Sequence, residues 1–162
     1  MDDPTIEGGR VNDAADWAAR GRAIIDANLY MVLGTADRDG SPWAAPVYFA
    51  PLAYREFFWV SKPGARHSLN LAERPEISIV IFDSSVPIST GQAVYFSATA
   101  EEVGVDRRAA ALEVFSRRTV SHGGREFSEE DVVNGARLRL YRAAATEQFV
   151  LDPNDERIPV SL

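Results

Sequence analysis

Apolar residues follow two different spacings along this chain, one typical of helices and one typical of β-strands. A helical spacing begins at a cap at Asn12 or Asp13 and ends near Ala27. It returns over residues 63–74, where Leu69 and Ala72 can face inward, and over residues 106–118. The strand-like segments, about six or seven, are residues 30–36, 43–50, 56–61, 77–82, 92–103, 137–144 and 147–151.

The connections between these segments favour antiparallel pairing. Residues 37–40 form a tight turn in which Gly40 can adopt a positive φ, and the first three strands follow too closely for parallel crossovers. Pro46 lacks the N–H that a central strand needs, so the second strand is expected at an edge or a bulge. The nearly all-apolar segment 77–82 is expected in the centre. In segment 92–103 the apolar residues alternate, so Val94, Phe96, Ala98 and Ala100 lie on one face. The pattern predicts an α+β fold, a mostly antiparallel β-barrel or strongly curled sheet with short flanking helices.

Composition is that of a globular protein. The 162 residues are 46% hydrophobic and 25% charged, which suits a single domain with one core. Residues 1–12 are polar, and we expect them to form a loose, flexible tail. Residues 13–162 are then the single domain.

The residues present exclude several kinds of catalytic site. The chain has no cysteine, so it has no disulfide, no Cys-zinc site and no thiol catalysis. His67 and His122 are far apart and have no ligand-spaced partner, which argues against a His-based metal site. Dinucleotide-binding, P-loop and nucleophile-elbow motifs are also absent. If the chain is an enzyme, we expect a cofactor to carry the reaction.

Charge and hydropathy indicate the partners to expect. The net charge of −7 disfavours nucleic acid, because phosphates are repelled. No apolar run is long enough to span a bilayer, and the N-terminus does not resemble a signal peptide. We therefore expect a cytoplasmic protein that binds neither nucleic acid nor membrane.

One short segment concentrates groups that bind phosphate. Ser61, Lys62, Arg66 and His67 lie where the third strand ends and a helix begins. Free N–H groups and the helix dipole favour an anion at such a point, and an arginine can bind a phosphate through two hydrogen bonds. The alternative is that these side chains simply face water beside acidic neighbours such as Glu73.

The order of these features resembles the pyridoxamine-phosphate-oxidase-like family, also called the FMN-binding split barrel. The resemblance spans roughly residues 22–150, most of the chain. It is carried by Asp-Gly-Ser-Pro at 39–42, Ala-Pro-Val-Tyr-Phe at 45–49, Trp-Val-Ser at 59–61, Arg66-His67, Asn70-Leu71, Pro75, Gly-Gln-Ala-Val at 91–94 and Ala-Thr-Ala-Glu at 98–101.

The resemblance implies a homodimer with flavins at the subunit interface and a small-molecule substrate. It assigns Ser61, Arg66 and His67 to the FMN phosphate, with Lys62 as an auxiliary residue. His67 stands where many members of the family have lysine, and a neutral imidazole would hold a phosphate less firmly.

The resemblance also assigns residues to the flavin ring. The strand backbone at Pro46 and Val47 lines the ring, Val60 lies next to the same edge, and Gln92 contacts the cofactor, often across the interface. Each residue has a structural alternative. Pro46 can protect a sheet edge, the two valines can belong to the core, and Gln92 can begin a strand.

The resemblance implies an FMN-dependent oxidoreductase whose substrate is unknown. Alternatives are a reductase that uses the deazaflavin F420, a dimeric protein that binds flavin or haem without turnover, and an interaction domain with an empty barrel. The C-terminal residues 155–162 do not match well the Arg-Leu-x-Pro-like ending of true pyridoxamine-phosphate oxidases, so that activity is not expected.

Overall fold

The computed structural model describes residues 14–162. The expected tail over residues 1–12 and the proposed caps at Asn12 and Asp13 lie outside this range. Within this range lie three α-helices, α1 (Ala14–Ala27), α2 (Arg66–Glu73) and α3 (Val105–Ser121), and a 3-10 helix at Glu129–Asp131. Eight strands are present: β1 (Tyr30–Ala36), β2 (Pro42–Tyr48), β3 (Ala50–Leu52), β4 (Glu56–Ser61), β5 (Glu76–Phe82), β6 (Ala93–Glu102), β7 (Arg139–Leu151) and β8 (Arg157–Pro159).

The strands form one curled, antiparallel sheet in the order β2-β1-β5-β6-β7-β4-β3, and β8 pairs with β7. The predicted α+β class and antiparallel sheet are confirmed. The segments expected as two strands near the C-terminus form the single strand β7. In the pairing of β7 with β6, Ala145 lies opposite Ala98 and Glu147 lies opposite Ser97. Thr146, between them, has no residue opposite it and forms a bulge.

The interior of the curled sheet holds the main core. Along β6, Val94, Phe96, Ala98 and Ala100 are all buried, as the alternating pattern predicts. Helix α1 contributes apolar side chains to the same core, and α3 packs over β3 and β4 in a second cluster. None of the helices within the described range has the length and hydropathy needed to cross a bilayer.

Helix α2 begins later and faces differently than the sequence predicts. The turn before it is closed by the Ala65 N–H, which donates to the Lys62 carbonyl at 3.0 Å. Leu71 is buried, whereas Leu69, which we expected to face inward, is 56% exposed. A helix of eight residues buries only part of its surface, and here Ser68, Asn70 and Leu71 are the buried residues.

No helix among residues 14–162 covers the other side of the sheet. We call its outward side chains on β1, β2, β5 and β6 the outer sheet face. Most of them are apolar or small, yet all are exposed or half-buried. They include Tyr30, Val32, Gly34, Ala44, Pro46, Ser78, Val80, Phe82, Tyr95, Ser97 and Thr99, and the carboxylates of Glu76 and Glu101.

Candidate functional site

Four side chains lie at the junction of β4 and α2, as the sequence predicts, and we call them the anion cradle. Ser61 ends β4 and is 9% exposed. Its hydroxyl and Nε2 of the half-buried His67 share a hydrogen bond of 2.8 Å. Lys62 and Arg66 are exposed on either side of the turn. The cradle therefore combines a buried hydroxyl, an imidazole and two exposed cations.

The electrostatics of the cradle are set by burial. Desolvation lowers the pKa of His67 below its ordinary value of 6.5, so the ring is neutral at pH 7 in the free protein. Lys62 and Arg66 supply the positive charge. Ala65 at the N-cap has no side-chain acceptor for the first N–H groups of α2. An anion placed there would accept from those groups and be favoured by the helix dipole.

A buried polar chain holds α2 against the sheet. Asn70 is 4% exposed, and its Nδ2 donates to Oγ1 of Thr35 on β1 at 3.0 Å. The Thr35 hydroxyl donates to the Trp43 carbonyl on β2 at 3.3 Å. These contacts join the cradle helix to two strands, so the position of the cradle depends on the sheet register.

Trp43 is a site residue that the sequence analysis did not assign. The guanidinium carbon of Arg66 lies 4.6 Å from the centroid of the Trp43 ring, in a cation–π contact. Trp43 remains 41% exposed beside the cradle. Its pairing with Thr35 across the β1–β2 hairpin brings it there, and no local motif marks that pairing.

An open trough of about 780 Å³ begins at Trp43 and runs along the outer sheet face. Its floor is made of small residues, and Gly34 leaves room there for the Ser78 side chain. A Cβ at Gly34 would lie 2.3 Å from Oγ of Ser78, which is closer than any side chain can approach. Glu76 and Thr146 are also part of its lining. The trough offers a mostly apolar surface next to the anion cradle.

The free edge of β2 lies on the same side of the fold. Hydrogen-bonded and non-bonded pairs alternate in an antiparallel ladder. The Phe49 N–H donates to the Leu29 carbonyl at 3.3 Å. Every second residue before Phe49 is bonded to β1 in the same way, so Val47 is bonded and the nitrogen of Pro46 points to the free edge. The expectation that Pro46 lies at an edge is confirmed. By the same count, the N–H groups of Ala44 and Tyr48 face that edge as donors.

The remaining predicted site residues do not lie in the anion cradle. The side chain of Val47 is 8% exposed and belongs to the core, and Val60 packs against the cluster beneath α3. Gln92 is exposed just before β6 begins, whereas the cradle lies toward the other end of that strand. Six residues separate Ala93 from Thr99, or roughly 20 Å of strand. One chain therefore does not bring Gln92 to its own cradle.

Within residues 14–162, no three His, Cys, Asp or Glu side chains are grouped as metal ligands would be. The described residues at the cradle instead fit an anionic group, because they combine two cations, a hydroxyl and an uncapped helix start.

Comparison with solved structures identifies the same fold in several bacterial proteins. A haem-binding protein from Mycobacterium smegmatis superposes with a TM-score of 0.72 at 18% identity, covering 92% of this chain and 58% of that protein. A haem storage protein from Vibrio cholerae gives 0.65 at 18% identity, with 82% and 92% covered. A conserved hypothetical protein from Mycobacterium tuberculosis gives 0.65 at 20%, with 85% of each chain covered.

These identities show a shared fold alone, and the chain spans under two thirds of the M. smegmatis protein. A search of curated protein sequences gives no match. The family model described as pyridoxamine 5'-phosphate oxidase matches residues 19–150, which is most of the chain. Because this match covers more than half of the chain, the chain belongs to the pyridoxamine 5'-phosphate oxidase family.

Proposed function

We propose that this chain is a homodimeric, FMN-dependent oxidoreductase acting on a small molecule, with the cofactor phosphate held in the anion cradle. The observation that carries the proposal is the junction of β4 and α2. There, in a protein of net charge −7, Lys62 and Arg66 flank the Ser61–His67 hydrogen bond at an uncapped helix start. A phosphate accepts hydrogen bonds from each of these groups.

The ring of the flavin would extend from the cradle along β2. The trough beside Trp43 supplies an apolar surface, and the Ala44 and Tyr48 N–H groups at the free edge supply donors to polar ring atoms. A bound flavin supplies hydride or electron transfer. The chain's own residues bind the phosphate, orient the ring and exclude water.

The proposed dimer would be built on the outer sheet face. Tyr30 is 60% exposed and Phe82 is 45% exposed on this face, which favours burial against a second copy. A partner seated there would also cover the trough. Gln92 lies too far from its own cradle to contact the same cofactor, so its predicted contact requires the partner subunit's cradle.

The relatives that are named for haem support a second cofactor as the alternative. A haem site takes an axial ligand, most often histidine. Among the described residues, His67 is hydrogen-bonded through Nε2 to Ser61, and Nδ1 of His122 donates to the Arg118 carbonyl at 2.8 Å. Nε2 of His67 is already hydrogen-bonded to Ser61, and Lys62 and Arg66 lie beside it. These contacts favour a phosphate over a haem iron at His67.

The test begins with the chromophore. The protein is purified from a host that makes FMN, haem and F420, and any released cofactor is identified by mass. We expect FMN in the wild type and a loss of about 1.5–3 kcal/mol of FMN binding free energy in Arg66→Ala, the value of a charged hydrogen bond. Arg117→Ala, an exposed arginine on α3, is the matched control. Haem in the wild type, or an equal FMN affinity in Arg66→Ala and wild type, would contradict the proposal.

A further inference from the structure

Ser61 and His67 form a hydroxyl–imidazole pair of the kind that hydrolytic enzymes use as nucleophile and base. Oγ of Ser61 lies 2.8 Å from Nε2 of His67, within the range of such pairs. When the ring proton is on Nδ1, the hydroxyl donates to Nε2. Burial lowers the pKa of His67 below 6.5, so the ring is neutral at pH 7 and able to accept a proton. The pair therefore has the spacing and the protonation state of a nucleophile beside its base.

The first turn of α2 offers hydrogen-bond donors beside this pair. None of the hydrogen bonds within residues 14–162 uses the N–H groups of Arg66, His67 or Ser68, and Ala65 provides no side-chain cap. Donors placed near a developing negative charge stabilise the transition state of acyl transfer. Because His67 belongs to the same turn, one helix carries both the base and these donors.

The charges around the pair favour a substrate with a negative group. Lys62 and Arg66 are exposed on either side of the turn, and neither is in an ion pair within the described part of the chain. The carboxylates of Glu73 and Glu102 already have arginine partners, at 3.4 and 3.5 Å. An anionic group would therefore be attracted to the two free cations.

The trough beside Trp43 gives room for the rest of such a substrate. Its lining is mostly apolar, and it begins next to Arg66, which lies over the Trp43 ring. Glu76 also lines the trough and is in no ion pair within residues 14–162, so it disfavours a second anion there. The molecule that fits has one anionic group at the cations and a neutral remainder along the trough.

We infer that this chain, when no cofactor is bound, hydrolyses small esters that carry a negative charge, with Ser61 as nucleophile and His67 as general base. Oγ of Ser61 attacks the ester carbonyl as its proton passes to Nε2 of His67. The bond to the leaving oxygen breaks, that oxygen takes the proton from Nε2, and the acyl group stays on Ser61. Water then attacks the acyl group and gives a proton to Nε2, and Oγ of Ser61 regains this proton as the carboxylic acid leaves.

This activity goes beyond the proposed function but occupies the same cradle, so a bound FMN phosphate would block it. Nδ1 of His67 makes no hydrogen bond within the described residues, so the pair lacks the acidic third member of a triad. Loss of that member lowers the kcat of a serine protease by about 10⁴-fold. We therefore expect slow turnover.

The test follows the release of phenol from para-acetoxybenzoate, a negatively charged aryl ester, by the full chain freed of flavin. We expect repeated turnover by the wild type and a rate about 100-fold lower in Ser61→Ala and in His67→Gln, because each variant removes one member of the pair. Ser84→Ala, which changes an exposed serine between β5 and β6, is the matched control and should keep the wild-type rate. A wild-type rate in Ser61→Ala, or no hydrolysis by the wild type, overturns the inference.

Two further measurements locate the reaction and the substrate's charge. Fragmentation of the acylated peptide should place the acetyl group on Ser61, and an acetyl group on Lys62 alone would overturn the assigned nucleophile. Arg66→Ala should hydrolyse para-acetoxybenzoate at least about tenfold more slowly but leave the rate for its neutral methyl ester unchanged. An equal effect on both esters would overturn the substrate class.

The outcomes separate this inference from the proposed function. FMN binding without hydrolysis that depends on Ser61 overturns the inference and leaves the proposed function intact. Hydrolysis that depends on Ser61 in a chain that binds no FMN supports the inference and overturns the proposed function. Inorganic phosphate should slow the hydrolysis, and an unchanged rate would overturn the position of the anionic group in the cradle.

Discussion

The affinity for FMN should fall as the pH rises, because the proposed site contains a histidine that is neutral in the free protein. Burial lowers the pKa of His67 below 6.5 when no ligand is bound. A phosphate beside Nε2 or the Ser61 hydroxyl stabilises the imidazolium, so the pKa rises in the complex. Binding therefore takes up a proton between these two pKa values.

The sign and size of the pH dependence of FMN affinity follow from this proton uptake. Below the pKa of the free protein His67 is charged in both states, so its contribution to affinity is constant and full. As the pH rises from that pKa to the pKa of the complex, the contribution is progressively lost. A charged hydrogen bond of about 1.5–3 kcal/mol corresponds to a total weakening of about 10- to 150-fold.

The assay is a fluorescence titration of apoprotein with FMN from about pH 5 to about pH 9. The FMN phosphate itself titrates near pH ~6 and acts in the opposite direction. His67→Gln keeps a partner for Ser61 but removes the titration, so the ratio of the two affinities isolates His67. His67→Lys should bind FMN most tightly of the three at high pH, since lysine keeps its charge. Parallel pH profiles for wild type and His67→Gln would refute the reasoning.

Three further predictions concern the scaffold of the site. Gly34→Ala should lower the free energy of unfolding by about 1–3 kcal/mol, because its Cβ meets the Ser78 hydroxyl, and adding Ser78→Ala should restore part of the loss in urea melts. Asn70→Ala should lower the free energy of unfolding, also measured in urea melts, by about 1–3 kcal/mol, because the buried Thr35 hydroxyl loses its donor. An unchanged free energy of unfolding would argue against the polar chain. Arg142 and Arg107 lower the pKa of Glu56, so its stabilising contribution is present at neutral pH and is lost as the pH falls below about 4.5. Glu56→Gln should therefore show less acid destabilisation than the wild type, and equal losses would contradict this.

The parts of the fold set by local pattern could be predicted from the sequence. Strict alternation identified the buried face of β6, and the missing N–H of Pro46 placed β2 at an edge. The strand end, the turn and the helix start around Ser61 and Arg66 predicted that the cradle residues come together. Each of these follows from neighbours along the chain.

The parts set by long-range packing could not be predicted. The direction that Leu69 faces depends on which side of α2 meets the sheet, and two faces of a short helix look alike in sequence. Trp43 reaches Arg66 only through the register of the β1–β2 hairpin. The bulge at Thr146 joins two apparent strands, and no glycine or proline marks it.

The contribution of the cofactor phosphate can be measured directly by comparing FMN with riboflavin, which lacks only that group, in wild type and in Arg66→Ala. If the anion cradle holds the phosphate, wild type should prefer FMN strongly, and Arg66→Ala should reduce that preference by about 10- to 150-fold while leaving riboflavin affinity unchanged. Equal binding of FMN and riboflavin by the wild type would contradict the account.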